Sequence, residues 1–176
     1  LCKTMGINPP SFYAAFGSKS ALFIEAVNYY EAAYWNEPLR TLERYGKRTV
    51  FEAFEDFFDE AVEILLNPDN PSGCMVVLAA VNISPEEREI SALVRRLRIE
   101  TCAVFERRLR RAVQDGELSA QTDVRALADF INIFLEGMSI QAKDGMAPAA
   151  LKRAVRPVFA ALRSAAAEEK QSCLPK

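Results

Sequence analysis

One stretch, residues 6–23, constrains the fold more than any other because it contains two helix starts in close succession. Asn8 is a good N-cap, and the two prolines directly after it occupy positions where a helix has no N–H bonds to lose. Gly17 ends the short helix that follows, and Ser18 caps a longer one. The sequence therefore predicts a helix over residues 11–16, a glycine turn, and then a second helix.

The short helix has two distinct faces. Phe12 and Phe16 lie one turn apart, so both are expected to face the core. The other face carries small or flat side chains, namely Pro10, Ser11 and Ala14, with Tyr13 at the border. Because a helix this short is not stable alone, it must be held by its neighbours. Its small outer face suits insertion into a groove of another molecule.

This pattern resembles the DNA-reading half of the tetracycline-repressor-type (TetR family) regulators. The resemblance consists of a glycine turn, a Tyr-x-x-Phe recognition helix and a Ser-Lys pair that opens the next helix. The residues that carry it are Gly6, Ile7, Asn8, Ser11, Phe12, Tyr13, Phe16, Ser18, Lys19, Ala21 and Leu22. It implies an all-α protein, in which a helix–turn–helix remnant (residues 1–37) joins a helical effector-binding and dimerisation domain (residues 38–176).

The same resemblance implies a ligand-responsive transcriptional regulator, usually a repressor, that binds a palindromic double-stranded DNA operator as a homodimer. Tyr13 and Lys19 would contact phosphates. The residues at or near the major groove would be Thr4, Asn8, Pro10, Ser11 and Ala14. After Asn8 the outer face lacks Arg, Asn and Gln, so bidentate reading of base edges is expected to be sparse.

A helix–turn–helix of this type needs two earlier helices to hold its recognition helix. Only residues 1–5 precede the glycine turn here. The resemblance therefore implies, from the usual size of the family, that the natural protein continues upstream by about 30–40 residues, and we expect the present chain to bind DNA poorly by itself.

Charge is distributed unevenly along the chain, although its formal net charge is only −2. Residues 1–24 contain Lys3 and Lys19 and no acidic residue, so all 24 carboxylates lie from Glu25 onward. A locally positive end on a mildly acidic body fits a protein that touches phosphates only at that end.

Cysteine and histidine usage gives little support to a metal or cofactor site. The chain has no histidine, and its four cysteines (Cys2, Cys74, Cys102 and Cys173) form no C-x-x-C pair. We expect reduced thiols, a cytoplasmic location and no cofactor, with a thiol-based redox sensor at Cys74 as the alternative. No apolar run approaches the ~20 residues of a membrane span, so no membrane association is expected.

The rest of the chain reads as a series of helices. The helix that Ser18 opens is expected to stop near Asn36, since Pro38 discourages its continuation. Helices are then predicted over residues 47–66, 74–81, 84–114, 122–143 and 148–168, with a loop over residues 67–73. The third of these begins with a capping box at Ser84, Pro85 and Glu87, and the helix over residues 74–81 is expected to be wholly buried.

Seven arginines of the helix over residues 84–114 could form a basic nucleic-acid surface. Glutamates are interleaved with them, so we interpret them as the solvent side of a long helix. They are Arg95, Arg96, Arg98, Arg107, Arg108, Arg110 and Arg111.

Inward spacing in the body helices suggests walls for an effector pocket. For each of these residues, simple core packing is the competing interpretation. The candidates are Trp35, Phe54, Phe58, Met75, Phe105, Phe134 and Met138, with Asn82, Asn132 and Glu136 as polar contacts.

The last two helices each have two apolar faces, so each needs a second partner besides its own core. That partner is most simply a copy of the same chain across a two-fold axis. The predicted dimer interface comprises Ala126, Phe130, Ile133, Gly137, Ile140, Ala154, Val158, Ala161 and Leu162.

Two other functions compete with that of a DNA-binding regulator. A helical ligand-binding or adapter module could have kept this body without useful DNA reading. An enzyme has little support, because no nucleophile elbow, metal-ligand spacing or phosphate-cradling glycine loop is present.

Overall fold

The computed structural model describes residues 1–44, 46, 48–84 and 86–172, with only the backbone for residues 167–172. Within these ranges every regular element is helical, which confirms the predicted all-α class. The elements are α1 (Cys2–Met5), α2 (Pro9–Phe16), α3 (Lys19–Tyr30), a π-helical turn (Glu31–Trp35), α4 (Asn36–Glu43), α5 (Val50–Leu65), α6 (Met75–Asn82), α7 (Arg88–Gln114), α8 (Val124–Lys143) and α9 (Pro148–Ser172).

The caps predicted around α2 are confirmed. The Asn8 side chain accepts a hydrogen bond from the Ser11 amide at 2.8 Å, and the Ser18 hydroxyl accepts one from the Ala21 amide at 2.9 Å. Gly17 turns the chain between the two helices with a φ of 71°, a conformation that favours glycine. Local hydrogen bonding therefore sets the angle between α2 and α3.

The expected stop of the α3 helix near Asn36 is wrong. The chain continues from α3 through the π-helical turn into α4, so that Pro38 lies in the first turn of α4. The Asn36 amide donates to the Glu31 carbonyl across the wider π-helical turn. Because this turn precedes Pro38, the missing proline N–H and the proline ring are accommodated without ending the helix. The proposed division at residues 37 and 38 falls inside α4 and stays a prediction.

The helix predicted from residue 84 begins later than expected. The Ser84 hydroxyl accepts from the Glu86 amide at 3.4 Å, and the Glu87 amide donates to the Ser84 carbonyl at 3.0 Å. These bonds form a turn, and α7 starts only at Arg88. A capping box does form at α5 instead, between Thr49 and Glu52. Predictions that involve Lys47, Pro85 and Cys173 lie outside the described residues.

An aromatic cluster forms the centre of the body. Phe54 and Phe57 of α5 pack against Phe105 of α7 with ring centroids 5.8 and 5.3 Å apart. Phe58 adds edge contacts to Phe134 of α8 and Phe159 of α9. Aromatic pairs in such tilted and edge arrangements stabilise a core beyond simple burial. The core thus joins α5, α7, α8 and α9 into one unit.

The helix predicted over residues 74–81 is present as α6, but it is not wholly buried. Val76 and Ala79 face the core, whereas Val81 is 70% exposed. Its N-terminus is anchored to α8, because the Cys74 amide donates to the buried Ser139 hydroxyl at 2.7 Å. Gly73 fits tightly at the same point, since an added Cβ would lie 2.8 Å from the Ser139 carbonyl oxygen.

One arginine of α7 departs from the predicted solvent-facing row. Arg108 is buried and pairs with Glu117 at 3.5 Å, while also donating to the Arg48 carbonyl. Others on the helix form ion pairs nearer the surface, including Arg96 with Glu100. Burial of Arg108 follows from its position on the α7 face that packs on the core, and its charge is compensated there.

None of the helices in the described part of the chain combines the length and apolar character that a bilayer crossing requires.

Candidate DNA-reading helix and effector cavity

The outer face of α2 is accessible along its whole length. All seven predicted DNA contacts are exposed, and Tyr13 is 51% exposed even though it is aromatic. Phe12, by contrast, is 1% exposed and stacks on Phe16 with centroids 5.3 Å apart. The structure therefore brings together Thr4, Asn8, Pro10, Ser11, Tyr13, Ala14 and Lys19 on or beside one short surface helix.

A hydrogen bond that the sequence did not predict joins this end of the molecule to the body. The Ser20 hydroxyl of α3 donates to the Glu87 carboxylate at 2.7 Å, just before α7 begins. The two residues are 67 positions apart, so no local sequence signal could have paired them. This contact helps fix the orientation of α3 relative to α7.

A small cavity lies where the π-helical turn meets α6, α7 and α8. Its volume is about 40 Å³. The lining residues are Glu31, Trp35, Leu65, Cys74, Val76, Val77, Leu97, Arg98, Thr101, Asn132, Leu135 and Glu136. Of the ten predicted pocket residues, Trp35, Asn132 and Glu136 are among them.

The other seven predicted pocket residues lie elsewhere. Phe54, Phe58, Phe105 and Met138 are buried in the core, where inward spacing alone could not separate packing from cavity lining. Met75 and Phe134 are partly buried against that core. Asn82 is exposed at the end of α6, and its side-chain amide donates to the Leu78 carbonyl at 3.0 Å.

The polar groups at one side of the cavity are already paired with each other. Arg98 of α7 lies 3.6 Å from the Glu136 carboxylate of α8. The Asn132 side chain donates to the same carboxylate at 3.1 Å. These contacts hold Arg98 and Glu136 in place and compensate one charge with the other.

Glu31 is the most perturbed carboxyl group of the cavity. Burial, and then the nearby negative charge of Glu100, raise the pKa of Glu31 from 4.5 to about 7. A carboxyl group at such a pKa changes its charge near neutral pH. The sequence reasoning missed Glu31 because its role arises from contacts between distant helices.

Trp35 and Cys74 both line the cavity, and Tyr30 interacts with each of them. The Trp35 indole N–H donates to the Tyr30 hydroxyl at 3.0 Å, and that hydroxyl lies against the Cys74 thiol. Burial raises the pKa of Cys74, which keeps the thiol protonated. Burial and then Asp129 raise the pKa of Cys102 to about 11. Both thiols are therefore poor nucleophiles in this conformation.

No group of three or more potential metal-ligating side chains lies together in the described ranges.

The predicted dimer interface divides between the two last helices. On α8, Ala126, Phe130, Ile133 and Gly137 are exposed, while Ile140 is half-buried. The opposite side of α8, including Ala128 and Ile131, packs in the core. On α9, Val158 and Leu162 are fully buried in the core and only Ala154 and Ala161 are half-buried. Only the α8 part of the predicted interface is thus an exposed apolar face.

Comparison with known proteins identifies relatives over most of the chain. The family described as "Tetracyclin repressor-like, C-terminal domain" matches residues 51–158. The chain is 32% identical over 133 residues to the uncharacterized HTH-type transcriptional regulator YezE of Bacillus subtilis, spanning 75% of this chain and 68% of YezE. It is 26% identical over 147 residues to the HTH-type transcriptional repressor ComR of Escherichia coli, spanning 82% of this chain and 69% of ComR.

A solved structure also matches the fold. It contains a cysteine mutant of the TetR family transcriptional regulator CifR complexed with a 26-base-pair double-strand operator DNA. The TM-score is 0.79 and the sequence identity is 36%, over 92% of this chain and 82% of that one.

Proposed function

Because this chain belongs to the TetR family of DNA-binding transcriptional regulators, we propose that it is a ligand-responsive repressor that binds a palindromic operator as a homodimer. A family member of this kind is not an enzyme. Its relatives include the transcriptional repressor ComR and the regulator CifR, whose structure was solved in complex with operator DNA. Binding to operator DNA would require the protein to be in the cytoplasm.

The observation that carries the proposal is the exposed outer face of α2, on a helix capped at Asn8 and held at its base by the buried Phe12. A helix presented in this way fits the major groove. Tyr13 and Lys19 would contact phosphates on either side and set the register. Small side chains such as Ala14 would allow close approach, with contacts to thymine methyl groups supplying part of the specificity.

The dimer is supported by the exposed apolar face of α8. Phe130 is 42% and Ile133 is 70% exposed, which is unusual for side chains of this size on a helix whose other side is core. Gly137 would allow a partner helix to approach closely. Two copies joined by this face would present two α2 helices to the two halves of a palindrome.

Induction is proposed to act through the cavity at the π-helical turn. The C-terminal end of α3 leads directly into this turn, and the N-terminal end of α3 follows the junction with α2. A ligand that binds better when the walls of the cavity are apart would shift the population away from the DNA-competent arrangement.

Binding of the full-length protein, as encoded with any residues before Leu1, to duplexes from its own genomic neighbourhood tests the proposal. We expect salt-sensitive binding, which Tyr13→Ala weakens about tenfold through loss of phosphate contacts. Tyr29→Ala is the matched control, because Tyr29 is a 75% exposed tyrosine on α3 outside the proposed DNA surface. Absence of binding to any such duplex would contradict the repressor and leave an adapter on the same scaffold.

A further inference from the structure

The Glu31 carboxylate is the one acidic side chain of the cavity for which the described residues offer no hydrogen bond or ion pair. The other acid, Glu136, is engaged by Arg98 and Asn132. Arg98 is also held from its own helix, because it donates to the Val94 carbonyl at 3.3 Å. The single cation of the lining is therefore committed, and one carboxylate is left uncompensated in a largely apolar cavity.

We propose that the effector is a small amphipathic cation, an organic ammonium compound whose charged nitrogen pairs with Glu31. Its apolar body would lie against Trp35, Leu97 and Leu135, which line the same cavity. This inference rests on the proposed function, since it names the ligand class of the proposed induction site.

Charge separates this ligand class from the alternatives. An anionic ligand would meet Glu31, Glu136 and the nearby Glu100, with Arg98 already paired. A neutral ligand would supply no counter-charge, so it would favour the protonated form of Glu31 and gain nothing from the ionised one. An ammonium group supplies both the counter-charge and hydrogen-bond donors, and the Trp35 ring offers a cation–π surface.

The size of the cavity couples ligand binding to a change of shape. At about 40 Å³ it has room for one water molecule and no organic ligand. An organic cation must therefore move a wall, and the π-helical turn supplies two wall residues, Glu31 and Trp35. Because the turn runs straight into α3, its displacement would change the angle at which α3 carries α2.

The test uses three six-carbon probes whose polar head groups carry a positive charge, no charge and a negative charge: hexylammonium, 1-hexanol and hexanoate. Trp35 is the single tryptophan of the chain, so intrinsic fluorescence reports directly on this cavity. We expect hexylammonium to change the fluorescence at concentrations about tenfold below those of hexanol, with hexanoate weakest. The result that overturns the proposal is equal or tighter binding of hexanol or hexanoate, or no response to any probe.

Glu31→Gln removes the charge and keeps the shape of the side chain. In this variant we expect the preference for hexylammonium over hexanol to disappear. Glu25→Gln, at an exposed glutamate of α3, is the matched control and should keep that preference. Retention of the preference in Glu31→Gln overturns the proposal, and far-UV circular dichroism checks that both variants are folded.

The unmodified protein provides a second test that needs no variant. Binding of hexylammonium should weaken as the pH falls from 8 to 6, because Glu31, with a pKa of about 7, gains a proton. Hexanol binding should stay constant over that range. The charged or titratable groups around Glu31 in its two adjoining cavities are Cys74, Arg98 and Glu136 in one and Arg40, Glu43, Glu100 and Arg107 in the other. A pH-independent hexylammonium affinity contradicts the role of Glu31.

Operator binding measured alongside separates this inference from the proposed function. If the full-length protein binds an operator and hexylammonium releases it through Glu31, both are supported. If the operator is bound but hexylammonium leaves that affinity unchanged, the effector class is wrong and the repressor stands. If no operator is bound, the proposed function itself fails.

Discussion

Glu31 shows how a single residue gains a property that its local sequence does not specify. It lies on a helical turn between α3 and α4, and its neighbours in the chain are ordinary helix formers. Burial and the charge of Glu100 on α7 raise its pKa to about 7. The folded protein thus holds a proton on Glu31 that the unfolded chain releases near pH 4.5.

The raised pKa predicts a pH-dependent stability effect for Glu31→Gln. Between pH 4.5 and 7 the folded state binds the extra proton, so the free energy of unfolding falls as the pH rises through this window. Glutamine cannot ionise, so the free energy of unfolding of Glu31→Gln does not fall in this way as the pH rises. At pH 8 we expect the variant to be more stable by about 1–2 kcal/mol, with little difference at pH 4. Urea unfolding at the two pH values measures this, and a variant that is less stable at pH 8 would show that ionised Glu31 has a favourable partner.

At the scale of elements, the sequence predicted what depends on neighbouring residues and failed where distant contacts decide. The Asn8 and Ser18 caps were predictable because each bond spans three residues. The π-helical turn was not, because Pro38 alone suggested a helix stop. Nor could spacing tell that Val158 and Leu162 face the core of their own protomer, since α9 has apolar residues on two sides. The cavity likewise draws its lining from several helices.

The junction between the loop before α6 and α8 gives a prediction at this scale. Gly73 has a φ of 91°, and a Cβ there would come within 2.8 Å of the Ser139 carbonyl oxygen. We expect Gly73→Ala to lower the free energy of unfolding by about 2–4 kcal/mol, through both the strained φ and the clash. Gly145→Ala is the control, because Gly145 has a φ of 86° but open space around it. Equal losses for the two variants in thermal or urea unfolding would mean that α6 is not held against α8 as described.

At the scale of the whole molecule, two separate surfaces are proposed to meet different partners. The α2 end carries no acidic residue before Glu25, whereas α8 exposes an apolar face. The helical body also holds the aromatic core and the cavity. An effector signal would travel along the continuous path from the cavity through the π-helical turn to α3.

The α8 face predicts a dimer that one charge can disrupt. Ile133 is 70% exposed, and Ile133→Arg would place a charge in the middle of the proposed interface. We expect this variant to sediment as a monomer of 19.6 kDa at concentrations where the unmodified chain is a dimer. Val81→Arg serves as the control, because Val81 is equally exposed on α6 and lies outside the interface. A monomeric unmodified chain, or an Ile133→Arg dimer, would contradict this interface.

Hydroxyl-radical footprinting of the full-length protein on its operator tests the central claim most directly, because it locates the recognition helices on the duplex. We expect two protected segments on one face of the DNA, related by the palindrome. At a protein concentration close to the Kd of the unmodified protein, Tyr13→Ala should leave both segments largely unprotected, because it binds about tenfold more weakly. A single protected segment, protection unrelated to any two-fold symmetry, or a footprint that Tyr13→Ala leaves unchanged would contradict the account.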